Sequence, residues 1–175
     1  MYLLFRLFIY LLPSGIIRTK WIKRFRIFRE VGSNFYFCPR KLPADPQLIK
    51  FGNNVAVATD VMFINHDVSQ KVFNNMIPEI LPKYFGCIKI GNNVFIGAKV
   101  LILPNVYICD NVFIAAGALV TKSINESGIW GGVPAKRIGS IEDLIEKRIY
   151  YSNHIYSNNM KKFILKLWEN FDSNQ

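Results

Sequence analysis

Residues 90–124 read IGNNVFIGAKVLILPNVYICDNVFIAAGALVTKSI, and apolar side chains return in this stretch at every sixth position. One series of six begins at position 90, and a second series lies four residues further along in each repeat. Together they are Ile90, Val94, Ile96, Val100, Ile102, Val106, Ile108, Val112, Ile114, Ala118, Val120 and Ile124. A period of six is neither the helical repeat of about 3.6 residues nor the simple alternation of a strand. It is typical of short strands joined by tight turns, and it predicts a parallel β-helix.

An earlier copy of the repeat lies upstream. Residues 49–55 read IKFGNNV and match IKIGNNV at residues 88–94, an offset of 39 residues. Because that offset is not a multiple of six, the coil must be interrupted between the two copies. Residues 65–87 have no period and contain two prolines, so we expect a loop that leaves the coil there. Long loops in compact domains usually carry function.

The two ends of the chain read as helical. Ser140 precedes two acidic residues, a pattern that predicts a helix start, and a second amphipathic helix is expected at about residues 159–171. We therefore expect a mainly β fold in a single domain, since 175 residues suit one core. Its parts are an amphipathic helical segment at 1–30, a β-helix at 31–139 with the loop 65–87, and C-terminal helices at 140–175.

Composition removes several classes of protein. Apolar residues make up 51% of the chain and charged residues 19%, which excludes intrinsic disorder. Three cysteines, an odd number, argue against a disulfide framework. The net charge of +10 suggests a protein that binds nucleic acid. However, no stretch alternates basic and aromatic side chains as nucleic-acid-binding surfaces do, so we expect no nucleic-acid partner.

The positive charge is concentrated at the N-terminus, where residues 1–30 hold seven of the 22 basic residues and one acid. Arg6 and Pro13 interrupt the apolar run, which is shorter than the about 20 residues of a transmembrane helix, and no signal-peptide pattern is present. From residue 16 to residue 28, one helical face is marked by Ile17, Trp21, Phe25 and Phe28. The basic residues expected elsewhere on the surface are Arg18, Lys23, Arg24 and Arg26. Two interpretations stay open: contact with an anionic membrane surface, or helices packed on the domain or on a neighbouring subunit.

Three motifs in fixed order now point to a family: IGNNVFIGA at 90–98, IAAGALVTK at 114–122 and GGVPAK at 131–136. With them, the chain resembles the hexapeptide-repeat acyltransferases over roughly residues 31–139. Within that family it looks most like the O-acetyltransferases that modify sugars of bacterial surface polysaccharides. The resemblance implies a left-handed parallel β-helix and a homotrimer with its sites between subunits. It also implies acetyl-CoA as co-substrate, lying in the groove between coils.

The same resemblance implies which residues hold the co-substrate. The family's CoA contacts fall on positions 98, 116, 121, 122 and 136 of this chain. The expected cofactor-binding residues are Ala98, Ala116, Thr121, Lys122, Lys136 and, as a further cation, Arg137. A narrow pantetheine arm suits small residues, and phosphates need cations. Trp130 could stack on the adenine or could simply pack.

His66 is the expected catalytic residue. The chain has two histidines, and His66 stands where the early coil gives way to the loop, the place of the family's catalytic histidine. Imidazole titrates near neutral pH and can take the proton of an acceptor hydroxyl during direct transfer. Asp67, Glu79 or a backbone carbonyl is expected to orient the ring. Asn65 and Asp67 are expected to contact the acceptor, and Asn65 or the Ala98 amide is the candidate oxyanion donor.

Other functions remain to be weighed. A serine or antibiotic acetyltransferase and a non-catalytic β-helix scaffold are the alternatives. A γ-type carbonic anhydrase needs three histidine ligands, which two histidines cannot supply, so we expect no metal. A nucleophilic role for Cys109 is not expected. The resulting expectation is a cytoplasmic enzyme, with peripheral attachment at the inner face of the membrane left open as an alternative.

Overall fold

A computed structural model describes residues 2–173 of the chain. The helices are α1 (Tyr2–Leu11), α2 (Gly15–Arg24), α3 (Gln70–Phe73), α4 (Ile141–His154) and α5 (Met160–Asp172). The strands before the loop are β1 (Glu30–Val31), β2 (Phe35–Phe37), β3 (Ile49–Phe51), β4 (Val55–Val57) and β5 (Met62–Phe63). Those after it are β6 (Ile88–Ile90), β7 (Val94–Ile96), β8 (Leu101–Ile102), β9 (Tyr107–Ile108), β10 (Val112–Ile114), β11 (Leu119–Val120), β12 (Gly128–Gly131) and β13 (Lys136–Gly139).

These short strands form three sheets that wrap around one core, as a parallel β-helix requires. Sheet A has the order β1-β3-β6-β9, sheet B the order β2-β4-β7-β10-β12-β13, and sheet C the order β5-β8-β11. Successive coils stack in parallel, with Ile96 opposite Ile114 and Ile102 opposite Val120. The chain therefore advances one coil in 18 residues, or three six-residue repeats.

The inward positions predicted from the period of six are confirmed. All twelve side chains of the two series are at most 2% exposed. Phe51, Val57 and Phe63 continue the inward series in the earlier coil. A core this regular accounts for the sequence period, because every sixth side chain returns to the same inward position.

Asparagine fixes the corner between sheets A and B. Asn54, Asn93 and Asn111 have φ values of 55°, 55° and 56°, a left-handed conformation that asparagine tolerates better than most residues. Their side chains also form a ladder, since Asn54 Nδ2 donates to Asn93 Oδ1 and Asn93 Nδ2 donates to Asn111 Oδ1, each at 2.9 Å. The repeated Gly-Asn-Asn of the sequence is thus a corner signal.

Different structures cover the two ends of the coil. At the first end, α2 packs on β2, where Thr19 Oγ1 accepts a hydrogen bond from Phe37 N at 2.9 Å. At the other end, β12 continues sheet B in parallel and β13 then pairs with it in the antiparallel sense. The coil therefore begins under a helix and stops at a hairpin.

The orientation of α2 differs from the expectation. Arg18 is 3% exposed, and its guanidinium donates to Leu12 O at 2.5 Å and to Cys38 O at 2.6 Å. Ile17, Trp21 and Phe25 instead lie on the exposed side. Phe28 does not share their face, because α2 ends at Arg24 and Phe28 is buried in the core. The expectation that Arg18 lies on the surface is therefore wrong, because neighbouring carbonyl groups compensate its burial.

The chain divides into two compact units, Met1–Gly139 and Ser140–Gln175. The predicted C-terminal helices are confirmed: Ser140 Oγ accepts from Asp143 N at 3.1 Å at the start of α4, and Asn159 Oδ1 accepts from Lys162 N at 3.2 Å at the start of α5. The expectation of a single domain stays a prediction. Among residues 2–173, no helix is both long and apolar enough to cross a membrane.

Candidate active site

His66 stands at the base of the long loop. The last coil hydrogen bond before it runs from Ile64 N to Ile102 O at 2.8 Å. The loop then closes on itself, because Gly86 N donates to Asn65 O at 2.8 Å and His66 pairs with Phe85 in an antiparallel bridge. The loop therefore leaves and rejoins the coil at one point, and it fixes the backbone of His66 there.

Asp45 holds the ring of His66. Its Oδ2 is hydrogen-bonded to Nδ1 of the imidazole, and the edge of the Phe85 ring contacts the imidazole with ring centroids 5.6 Å apart. An ionised carboxylate only accepts, so Nδ1 carries the proton in this arrangement and Nε2 presents its lone pair. Within residues 2–173, Nε2 has no hydrogen-bond partner. Nε2 is thus the ring nitrogen that a general-base role would use.

Asp45 is itself held in place by two hydrogen bonds to its main-chain oxygen. Leu48 N donates to it at 3.0 Å in the short 3₁₀ turn Pro46–Leu48, and Asn65 Nδ2 donates to it at 2.5 Å. Sequence reasoning missed this residue, which lies 21 positions before His66. An Asp-Pro pair indicates a turn but does not reveal which side chain lies across from it.

Neither of the carboxylates proposed from the sequence orients the ring. Asp67 Oδ1 accepts hydrogen bonds from Ser69 Oγ at 2.7 Å and Ser69 N at 3.0 Å, and these bonds lower the pKa of Asp67. Glu79 is exposed and forms no ion pair with His66 among the described residues. The expectation that Asp67 orients His66 because it is the next residue is therefore wrong. The Asp67 side chain instead accepts hydrogen bonds within the turn before α3.

A cavity of about 290 Å³ opens beside His66. Lys41, Leu42, Met62 and Asn65 are among the residues that line it. The side chain of Asn65 is 1% exposed, and its Oδ1 has no hydrogen-bond partner within the described residues. His66 itself lines the cavity, which offers space for an acceptor beside its ring. Contacts of Asn65 and Asp67 with an acceptor stay predictions.

The expected pantetheine positions lie one coil apart. Ile96 and Ile114 are opposite each other in β7 and β10, which places Ala98 and Ala116 at matching turns between sheets B and C. Gly117 N donates to Ala98 O at 2.8 Å across the two turns. Ala98 is half-buried and Ala116 is exposed, so these turns present small side chains at the surface.

The expected phosphate-binding residues Lys122 and Lys136 lie in segments that are hydrogen-bonded to each other. Leu119 N donates to Gly132 O at 3.0 Å, and Ala135 N donates to Leu119 O at 2.8 Å. These bonds tie the turn before Lys136 to the strand that precedes Thr121 and Lys122. The side chains at 121, 122 and 136 are all exposed, as binding to a soluble anion requires.

Arg137 and Trp130 have other partners. Arg137 Nε forms a salt bridge with Glu126 Oε1 at 3.0 Å and donates to Ser127 O at 3.2 Å. Trp130 is half-buried against the core, and its Nε1 donates to Glu126 O at 3.2 Å. These contacts favour packing over adenine stacking for Trp130, and they engage Nε of the Arg137 guanidinium.

Two other kinds of site are a metal centre and a nucleophilic cysteine. Among the described residues there is no cluster of three or more His, Cys, Asp or Glu side chains that could hold a metal. The pKa of the Cys109 thiol is raised mainly by burial and, to a smaller extent, by the nearby Asp110 carboxylate. A raised thiol pKa disfavours the reactive thiolate, in line with the expectation that Cys109 is not a nucleophile.

Comparison with known proteins identifies relatives of the chain. Residues 87–122 match the family model described as bacterial transferase hexapeptide (six repeats). The chain is 39% identical over 132 residues to Protein CapG of Staphylococcus aureus, covering 75% of this chain and 76% of CapG. It is 35% identical over 127 residues to the galactoside O-acetyltransferase of Escherichia coli K12, covering 71% of this chain and 60% of that enzyme.

A solved structure is similar over most of the chain. It is a maltose O-acetyltransferase from Clostridium difficile 630, with a TM-score of 0.58 and 28% sequence identity. The alignment covers 78% of this chain and 81% of that one. The similarity supports the fold described above.

Proposed function

Because the chain belongs to the hexapeptide-repeat acyltransferases, whose left-handed β-helix its fold matches, we propose that it acetylates a sugar hydroxyl with acetyl-CoA. The reaction would belong to surface-polysaccharide biosynthesis, with His66 as general base. One observation carries the proposal: Asp45 is hydrogen-bonded to Nδ1 of His66, and His66 also lines a cavity that could hold an acceptor. The names of the galactoside and maltose O-acetyltransferases support a sugar as acceptor.

His66 acts as base and then as acid in this proposal. Nε2 accepts the hydroxyl proton as the acceptor oxygen attacks the thioester carbonyl carbon. The tetrahedral adduct then collapses, the C–S bond breaks, and the imidazolium returns the proton to the leaving thiolate. Asp45 keeps the proton on Nδ1 in the resting state and stabilises the imidazolium. A base of this kind accelerates such a transfer by about 10²–10⁴-fold.

The oxyanion of the adduct needs a hydrogen-bond donor. Asn65 is almost fully buried, and its Nδ2 already donates to the main chain of Asp45. We therefore infer that the backbone amide of Ala98 is the donor. Lys122 and Lys136 would hold the phosphates of CoA, and the small side chains of the adjacent turns would border the pantetheine arm.

The position of these groups in one chain favours a shared site. Ala98 and Ala116 lie at the corner between sheets B and C, whereas His66 follows sheet C at its opposite side. A homotrimer would bring His66 of one subunit close to the turns of the next subunit that contain Ala98 and Ala116. We infer that this enzyme forms such a trimer and works in the cytoplasm, at the inner membrane face where lipid-linked glycans are built.

The test is an acceptor screen that measures thiol release from acetyl-CoA. We expect release with a mono- or oligosaccharide and a loss of about 10²–10⁴-fold in His66→Ala. His154→Ala is the matched control, because His154 lies in α4 and its Nδ1 contacts Tyr150 O at 2.9 Å. Activity of His66→Ala within about tenfold of wild type would refute the general base. Turnover with serine or an aminoglycoside and none with sugars would refute the acceptor class.

A further inference from the structure

The outer side of α1 is apolar although it faces solvent. Leu4, Leu7, Phe8 and Leu11 follow the spacing of one helical face, and all four are exposed, with Leu4 at 72% and Leu11 at 66%. The opposite side of α1 already supplies the core contact through Ile9, which is fully buried. Packing on the β-helix therefore does not explain the outer stripe.

This stripe continues onto α2. The ring of Phe8 meets that of Trp21 edge to face at 5.2 Å, and Trp21 stacks with Phe25 at 5.6 Å. Ile17, which is one turn before Trp21, is exposed as well. The outer sides of the two helices thus form one contiguous apolar surface. Monomeric proteins rarely leave a large surface of this kind uncovered, and such surfaces mark protein or membrane contacts.

Basic residues border that surface. Lys20 and Arg24 are exposed on α2. Lys20 follows Ile17 by three positions and Arg24 follows Trp21 by three, so each shares a helical face with an apolar residue of that surface. Lys23, Arg26 and Arg29 line a cavity of about 370 Å³ at the end of the same segment. We call these five side chains the basic rim.

The basic rim is not neutralised within the described residues. None of its members forms an ion pair with a carboxylate there. The acid beside the cavity, Glu30, pairs with Lys50 at 2.9 Å instead. The rim is therefore electrostatically complementary to an anionic partner.

We propose that the outer sides of α1 and α2, with the basic rim, dock on a bilayer containing anionic phospholipid. The apolar stripe would enter the headgroup boundary with both helices parallel to the membrane, as interfacial helices do. The rim would contact lipid phosphates, whose attraction acts within about a Debye length of the surface. A second copy of the chain is a poorer occupant, since pairing these faces would bring like charges together. The docking is independent of the acetyl-transfer chemistry.

Vesicle co-sedimentation of the full chain tests the proposal. Vesicles of phosphatidylcholine alone are compared with an equimolar mixture of phosphatidylcholine and phosphatidylglycerol. We expect binding to the mixture to be at least about tenfold stronger, and to weaken as salt is added. Equal binding to both vesicles, or none to either, would overturn the proposal.

Two variants separate the contributions. Leu4→Ser/Leu7→Ser removes apolar contact and Lys20→Glu/Arg24→Glu reverses two charges, and each should weaken binding to the mixture by about tenfold or more. The control Lys147→Glu/Arg148→Glu makes the same charge change on α4 and should bind like wild type. Circular dichroism and acetyl transfer to a soluble acceptor show that each variant is folded. A lipid-free oligomer that Leu4→Ser/Leu7→Ser dissociates would assign the surface to a second copy and overturn the proposal.

Discussion

Asp45 acts on the proposed reaction through another side chain. It contacts Nδ1 of His66, and its main chain is fixed by Leu48 and Asn65. It does not line the cavity beside His66 that would receive the acceptor. Its effect on the reaction therefore comes from the ring position and tautomer that it imposes, which makes it a positioning residue.

Substitution of Asp45 tests that role. Asp45→Asn should lower kcat by about tenfold to a hundredfold, less than the loss in His66→Ala, because the ring stays but the favoured tautomer is lost. The KM for acetyl-CoA should stay near the wild-type value. Steady-state kinetics with a thermal melt measures both. An unchanged kcat with a lower melting temperature would show that Asp45 serves stability alone.

Lys136 and Arg137 are neighbours with different environments. Lys136 is exposed beside the strand that precedes Lys122, whereas Arg137 pairs with Glu126. Lys136→Glu should raise the KM for acetyl-CoA by about tenfold or more, because it replaces a phosphate contact with a repulsive charge. Arg137→Glu should raise it less. Kinetics and CoA-induced thermal stabilisation check the order, and a larger effect at Arg137 would contradict it.

At the scale of an element, the corner between sheets A and B depends on its asparagines. Asn93 has a φ of 55° and accepts one ladder hydrogen bond while donating another. Alanine and glycine at this position remove the same hydrogen bonds. They differ in backbone preference, because glycine adopts positive φ readily and alanine does not.

Asn93→Ala should therefore be less stable than Asn93→Gly by about 1 kcal/mol in urea unfolding. Asn125 is the matched control, since it is exposed and lies outside the positive-φ residues of the described chain. At position 125 the alanine variant should be as stable as the glycine variant or more stable, because alanine loses less conformational freedom than glycine on folding. Equal stability of the two Asn93 variants would show that positive φ does not limit this corner.

The coil and the site differ in how far sequence could predict them. The inward positions were predictable because each one recurs in the same place, so twelve residues supported one inference. The contact between Asp45 and His66 occurs once and joins two non-repeating segments, and no period marks it. Arg18 shows a second limit: apolar periodicity cannot detect a guanidinium whose burial depends on carbonyl groups from elsewhere in the chain.

At the scale of the whole molecule, the proposed trimer links assembly to folding. Ligands and partner subunits that bind the folded state stabilise it by mass action. The melting temperature should therefore rise with protein concentration, and CoA should raise it further. Calorimetry over about a hundredfold range of concentration measures this, with sedimentation equilibrium as the check on mass. A constant melting temperature with a monomeric mass would contradict the trimer.

The two covered ends of the coil have a consequence for how copies of the chain can associate. A stack of parallel strands is an open template, and unpaired backbone groups at its last rung can recruit another rung, as in a growing fibril. Here α2 lies on β2 at one end, while β13 runs against the direction of β12 at the other. A second chain cannot extend the parallel ladder beyond a reversed strand. The helix and the hairpin thus cover both edges of sheet B and disfavour end-to-end polymerisation through that sheet.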